Sequence, residues 1–364
     1  MHRGSSGRDK MGFYKGKKVF ITGHTGFKGS WLCKTLLILG AEVAGFSLRP
    51  AENQKLFYLS NVENQIQNIY GDIRNLDLLK QELCNYNPDI IIHMAAQALV
   101  RDSYLKPVET YSVNVMGTVH LLESARECKK LKSILNVTTD KVYMNMEQNK
   151  AFIEEDKLNG YDPYSNSKSC SELVTSAYKN SFFKDTEIAV STCRSGNVIG
   201  GGDFSKDRII PDCYRAVSQD KEIIVRNPNS VRPYQHVMDP IYAYLLLSKI
   251  QYENITFQGE YNIGPDQNSN INTGELVSLF CKKWGKGATW RLAEEKSVFH
   301  EASLLYLDCK KANNILGWKS IWDIDSALEN TIAWYKEFER QDRVDRCMEK
   351  QIIEFLKEAK AYEL

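Results

Sequence analysis

Tyr164 and Lys168 stand four residues apart in the stretch PYSNSK, directly after Asp162 and Pro163. An aspartate that can cap a helix N-terminus, followed by a proline that suits the first turn, marks a helix start at this point. On a helix the i, i+4 spacing puts both side chains on one face. Tyrosine, with a reference pKa of about 10, is a poor base near neutrality, and a neighbouring ammonium favours its phenolate. The pair is therefore suited to taking a proton from a substrate hydroxyl. By itself the spacing is common, and on an exposed face it would be a solvated pair.

Two other stretches give it company. TTDK, Thr138 to Lys141, closes the apolar run SILNV, and ligands of open parallel sheets collect outside the carboxyl ends of the strands. Thr139, Asp140 and Lys141 are thus candidates to face the same crevice as Tyr164. HMAAQ, His93 to Gln97, ends the preceding apolar run and offers small residues, Ala95 and Ala96, where a cofactor could lie against backbone.

The stretch ITGHTGFKGSW spaces Gly23, Gly26 and Gly29 as GxxGxxG between an apolar run and a helical one. A strand feeding a glycine turn and a helix N-terminus can receive a pyrophosphate on backbone N–H groups, and a Cβ would block the approach. The spacing departs by one residue from GxGxxG, so a purely structural turn is the alternative. An acidic residue is expected at the end of the second strand, but VAGFSLRP has Ser47 there. Ser47 can hydrogen-bond a ribose hydroxyl, and Arg49 can stack near an adenine or pair with a 2′-phosphate, which leaves NAD and NADP both open. Asp72 in YGDIRN can accept from an adenine amino group or simply form a turn.

The elements that must position these residues alternate. KKVFITG, AEVAGFSL, DIIIHMAA, SILNVTTD and TEIAVSTCRSGNV read as strands, and GSWLCKTLLILG, SVNVMGTVHLLESARECKK and DPYSNSKSCSELVTSAYKNSF as helices. Such alternation predicts an α/β fold with a doubly wound parallel sheet. From about Ile199 the pattern loosens into a smaller mixed α/β part, with helices in DRIIPDCYRAVSQ, DPIYAYLLLSKI and NTGELVSLFCKKWG and a short strand in GEYNIGP. The expected division is a leader over 1–16, a dinucleotide-binding domain over 17–198 with segments near 234–264 returning to it, a substrate domain over 199–345 and a terminal helix over 346–364.

Composition narrows the class further. With 43% hydrophobic residues over 364 positions the chain can bury a large core, and 47 basic against 46 acidic residues leave no field that favours nucleic acid or an anionic membrane. Nine scattered cysteines read as reduced thiols of the cytosol, and the six histidines show no ligand spacing, so no metal is expected. The opening MHRGSSGRDKMGF lacks the apolar core of a secretory signal and reads as a leader, and no apolar run is long enough to span a bilayer.

Taken together, GxxGxxG, GDIR, HMAAQ, YSNSK and RSGNVIGGGD resemble the extended short-chain dehydrogenase/reductase family over nearly all of residues 17–340. Within it GHTGFKGSW, TTDKVY, IIPDCYRA and RPYQHV resemble the 4,6-dehydratase branch that acts on CDP-glucose. The resemblance implies a tightly bound NAD, reduced and reoxidised in one turnover, held by Gly23, Thr25, Gly26, Phe27, Gly29, Ser47, Arg49, Asp72, Ile73, Ala95, Ala96, Gln97, Tyr164 and Lys168. It implies that Tyr164 takes the O4 proton, that Lys168 holds the nicotinamide ribose and lowers the tyrosine pKa, and that Thr139 hydrogen-bonds the reacting oxygen. Asp140 would protonate the departing C6 hydroxyl. Related dehydratases carry glutamate next as the C5 base; here Lys141 stands there, and it can be a base only as a neutral amine.

The same resemblance places Asn197, Arg208 and Arg232 on the nucleotide diphosphate side, where an arginine fork suits phosphate. It puts His300 and Glu301 of FHEASLL near the substrate cleft, whereas His236 reads as a packed loop histidine. It also implies a homodimer joined through a four-helix bundle, with the bland alternative that the same helices only complete one subunit's core. A nucleotide-sugar 4-epimerase and a non-catalytic dinucleotide-binding protein are the competing expectations.

Overall fold

Seven parallel strands run through the centre of the protein: β1 (Lys18–Thr22), β2 (Glu42–Ser47), β3 (Gln67–Tyr70), β4 (Ile90–His93), β5 (Ser133–Thr139), β6 (Ala189–Ser195) and β7 (Glu260–Ile263). Their order across the sheet is β7-β6-β5-β4-β1-β2-β3. The computed structural model describes residues 12–51, 55–146, 150–265, 271–294, 304–341, 343–361 and 363–364.

Side-chain alternation along each strand feeds two cores. Val19 and Ile21 of β1 point into one cluster, with Trp31, Leu32 and Leu36 from helix α1 (Phe27–Ile38), while Phe20 between them points into the other. That second cluster gathers Leu79 and Leu83 of α2 (Leu76–Tyr86) and Leu121, Leu122 and Ala125 of α3 (Gly117–Ala125). A sheet covered on both faces needs strands without a wet side, and β4 and β5 are buried at every position. The strand expectations for these segments hold to within about two residues at most ends, with β6 beginning three residues later than read.

Parallel strands bring their carboxyl ends to one edge. Register pairs Thr22 with His93, His93 with Asn136, and Thr139 with Ser195, so the ends of β1, β4, β5 and β6 form a continuous rim. Helix α4 (Pro163–Tyr178) starts at that rim, capped by Asp162 Oδ1, which accepts from Ser165 N at 3.0 Å. The later part of the chain contributes β7 to the sheet and packs α5 (Ile209–Val217), α6 (Met238–Glu253) and α7 (Thr273–Trp284) around it. The sequence pattern does not announce helices α2 and α8 (Ile324–Glu339), and α9 runs Val344–Glu358, not from 346 to the chain end.

One expectation is corrected here. The leader was set at residues 1–16, but Tyr14 is fully buried and its hydroxyl donates to Leu245 O at 2.7 Å, while the Phe13 and Tyr14 N–H groups bond Glu363 O and Leu364 O. An aromatic anchor two residues from a basic, glycine-rich stretch carries no local pattern, because its partners lie at the far end of the chain. Among the described residues no helix is long and apolar enough to cross a membrane.

Candidate active site

The glycine loop leaves β1 at Thr22 and enters α1 at Phe27. Gly23 has a φ of +78°, and a Cβ there would stand 2.7 Å from Ala95 N. At Gly29 a Cβ would stand 2.3 Å from Gly23 O, so the loop can fold back over the helix only without side chains. Gly26 caps α1 with no side chain to satisfy the first-turn N–H groups, which leaves them for an anion. The loop therefore fits a pyrophosphate. We expect Gly29→Ala to push α1 off the loop, costing about 1–3 kcal/mol of stability. Equilibrium dialysis should then show cofactor binding severely weakened; unchanged affinity would mean the loop is structural only.

At the outer end of the loop, Ser47 Oγ and Thr25 Oγ1 share a hydrogen bond of 2.9 Å, and Thr25 also donates to Leu48 O. Arg49 lies over the Tyr70 ring, 4.1 Å from its centroid, which builds a flat cationic shelf beside the second strand. The Asp72 carboxylate accepts from the backbone and guanidinium of Arg74, which holds its pKa below the usual carboxylate value. Ile73 is buried against Gly117. On the other side of the loop Ala95 N donates to Thr22 Oγ1, and Asn114 brackets Gln97, accepting from its N–H and donating to its carbonyl. Asn114 also donates to Ser167 Oγ, which ties the HMAAQ segment, Ala96 included, to the helix of Tyr164.

Thr139 ends β5; its hydroxyl donates to Asp140 Oδ1 at 2.9 Å and acts on the Tyr164 phenol, whose pKa it lowers. Asp140 is fully buried. Its Oδ1 also accepts from Lys141 Nζ at 2.9 Å, whereas Oδ2 has no partner among the described residues. Lys141 Nζ donates in addition to Asn197 Oδ1 at 3.0 Å. Lys168 is buried beneath this group and donates to Val137 O.

Desolvation raises the Tyr164 pKa to about 12, and the neighbouring Thr139 hydroxyl and the Arg208 charge pull it back down. Burial has taken Lys168 down to about 8, against the pull of Glu172. The ammonium is thus present below that pH and lost above it. If Lys168 acts as a cation, kcat/KM falls as pH rises through about 8, and a profile flat to pH 10 would contradict that role.

Thr139, Asp140, Lys141, Tyr164, Asn197, Arg208 and Arg232 line one cavity of about 1050 Å³. Arg208 pairs with Asp203 at 2.9 Å and its charge reaches Tyr164, so it belongs with the reacting groups as much as with a distant diphosphate. Arg232 donates to Val231 O from the cavity wall. His236 is fully buried edge-on to Trp31 and Trp322, and His300 and Glu301 lie outside the described residues.

Lys28, beside the glycines, is a further buried cation of the site. Its amine donates to Ser195 Oγ at 3.1 Å and Tyr244 OH at 3.3 Å, and burial with the charges of Arg208 and Lys168 brings its pKa down to about 7. Nothing in FKGSW marks it, because its partners come from β6 and α6.

A parallel sheet in this order, a glycine turn into α1 and a Tyr/Lys helix at the strand ends define a Rossmann-type dehydrogenase site. The model of the GDP-mannose 4,6 dehydratase family matches residues 20–331, and the chain belongs to that family. It is 41% identical to the CDP-glucose 4,6-dehydratase of Salmonella typhimurium, over 94% of this chain and 97% of that one. The solved structure of UDP-glucuronic acid 4-epimerase from Bacillus cereus with UDP-glucuronic acid and NAD covers 88% of this chain and 99% of its own at 25% identity, with a TM-score of 0.76. The dTDP-glucose 4,6-dehydratase of Streptomyces venezuelae, with NAD bound, gives 0.77 at 24% identity, covering 89% and 98%.

Proposed function

We propose that the protein is an NAD-dependent hydro-lyase that converts CDP-glucose to its 4-keto-6-deoxy derivative by oxidation at C4, loss of water across C5 and C6, and reduction at C6. The carrying observation is that Thr139, Asp140 and Lys141, joined by hydrogen bonds through the Asp140 carboxylate, line one cavity with Tyr164, since an acid–base pair beside the tyrosine is what dehydration adds to simple oxidation. The 41% identity to a CDP-glucose 4,6-dehydratase over nearly the whole chain supports the substrate.

Bound in the loop of Gly23, Gly26 and Gly29, NAD supplies the hydride acceptor and donor and, when oxidised, a positive ring charge. Tyr164 takes the proton of the sugar O4 hydroxyl while Thr139 hydrogen-bonds that oxygen. Arg208 favours the phenolate from one side and Lys168 holds the ribose from below. The Asp140–Lys141 contact then has a specific use. Passing one proton along the 2.9 Å hydrogen bond to Asp140 Oδ1 leaves a neutral amine on Lys141, which can remove the C5 proton, and a carboxylic acid on Asp140, which can give that proton to the departing C6 hydroxyl. Asn197, accepting from Lys141, holds the amine in place.

The 4-epimerase alternative needs the tyrosine but not this pair, and its product has not lost water. A panel of cytidine, uridine and thymidine diphosphate glucoses tests reaction and base choice together. The CDP sugar is expected to give a product lighter by one water with the highest kcat/KM; preference for another base would overturn the substrate assignment, and an unchanged mass the reaction.

We further infer a homodimer of the cytosol. Leu105 and Val108, in the short helices before α3, are 74% and 82% exposed, and Leu173 on α4 is 59% exposed. These apolar side chains on the helix pair favour pairing with a second copy. Sedimentation at the dimer mass is expected, and a monomer would contradict it.

A further inference from the structure

Beneath Lys168, one turn farther along α4, Glu172 is 3% exposed and Arg194 of β6 is 2% exposed. The two form a two-point ion pair, Arg194 Nε to Glu172 Oε1 at 3.0 Å and Nη2 to Oε2 at 2.9 Å. The remaining acceptor capacity of the carboxylate is filled by the hydroxyls of Thr138 on β5 and Thr192 on β6. Arg194 spends its other end on Tyr143 OH at 2.9 Å and Glu154 O at 2.8 Å, and Tyr143 OH donates to Asn262 of β7 at 2.6 Å. Two buried charges persist where geometry and hydrogen bonds satisfy both, and here every partner is in place.

The position of this pair is informative. Thr138 immediately precedes Thr139 and Asp140, and Tyr143 follows Lys141 by two residues, so the pair grips the acid–base segment on both sides. Glu172 is four residues beyond Lys168 and eight beyond Tyr164, on the same face of α4. We propose that the Glu172–Arg194 pair is the positioning element of the catalytic centre, clamping the helix of Tyr164 and Lys168 to the strand end that carries Thr139, Asp140 and Lys141.

Neither residue touches the cavity, so both act through others. The carboxylate also faces Lys168 and supports its ammonium against desolvation. The other groups acting near Lys168 are Lys28 from α1, a cation that opposes the charge, and His93 from β4, which burial keeps neutral and which shares a hydrogen bond with Thr22. Arg194, Tyr143 and Cys193 face the carboxylate itself.

This inference rests on the roles given above to Tyr164 and Lys168, and its test is separable from theirs. In Glu172→Gln a slip of the helix against the strand end is expected to lower kcat by about tenfold to a hundredfold. KM for the sugar nucleotide should stay within about twofold, because the lost interaction is not a substrate contact. The basic limb of kcat/KM should move to lower pH by about one unit, since Lys168 loses its neighbouring anion. Glu172→Gln leaves a buried guanidinium poorly paired, so Glu172→Met/Arg194→Met is measured beside it; with both charges gone the fold is expected to keep its Tm. The lowered kcat and the shifted limb should persist in that stable double variant. Wild-type kcat and an unmoved limb there would overturn the proposal, leaving the pair a packing feature only. Full turnover in Tyr164→Phe would instead remove the reading beneath it, whatever the Glu172 variants do.

Discussion

Tyr164→Phe leaves a folded protein whose turnover is lower by about 10²–10⁴-fold, the usual worth of a positioned acid–base group. The substitution removes one oxygen from a half-buried ring and keeps the ring's packing, so Tm should move little. What it removes is the hydroxyl on which Thr139 and the charge of Arg208 act. Desolvation holds the free tyrosine's pKa near 12, so the phenolate forms only when Thr139, Arg208 and the occupied site act together. Phenylalanine has no proton to give or take. A variant with a normal melt and turnover within a few-fold of wild type would remove Tyr164 from the mechanism.

Asp140→Asn is expected to cost a comparable factor, about 10²–10⁴-fold in product formation, but at a different step. Asparagine can still accept from Thr139 and Lys141 through its carbonyl, so the geometry of the strand end survives. It cannot receive the proton from Lys141 or deliver one to the C6 hydroxyl, and the acid and the base are lost in a single substitution. Oxidation at C4 does not need that proton. Chemical quench of single turnovers should therefore recover sugar oxidised at C4 that still carries its C6 hydroxyl. Quantitative conversion to the 6-deoxy product would show that another group supplies the acid.

Much of this arrangement is legible in the residues alone, for physical reasons. Strand–helix alternation with apolar strands dictates a parallel sheet, and a parallel sheet must bring the ends of HMAAQ, TTDK and the glycine loop to one edge. The i, i+4 spacing of Tyr164 and Lys168 places them on one helix face without further information. Long-range electrostatics is where sequence reasoning stops. A cation that acts on Tyr164 is Arg208, 44 residues away, and burial brings the Lys168 pKa down to about 8. Lys28, with partners from β6 and α6, and the Glu172–Arg194 pair, spanning α4 and β6, depend on elements meeting in space and leave no periodic trace. Tyr14 is hidden for the same reason, since its hydroxyl is anchored on Leu245 of α6 and its N–H on Leu364.

The central claim is that one active site oxidises C4, removes water across C5 and C6, and returns the same hydrogen to C6. CDP-glucose carrying deuterium at C4, turned over by the purified protein in ordinary water and analysed by NMR and mass spectrometry, tests that claim most directly. The account predicts a product that has lost one water and carries the deuterium at C6; a product with only solvent hydrogen at C6 would contradict it.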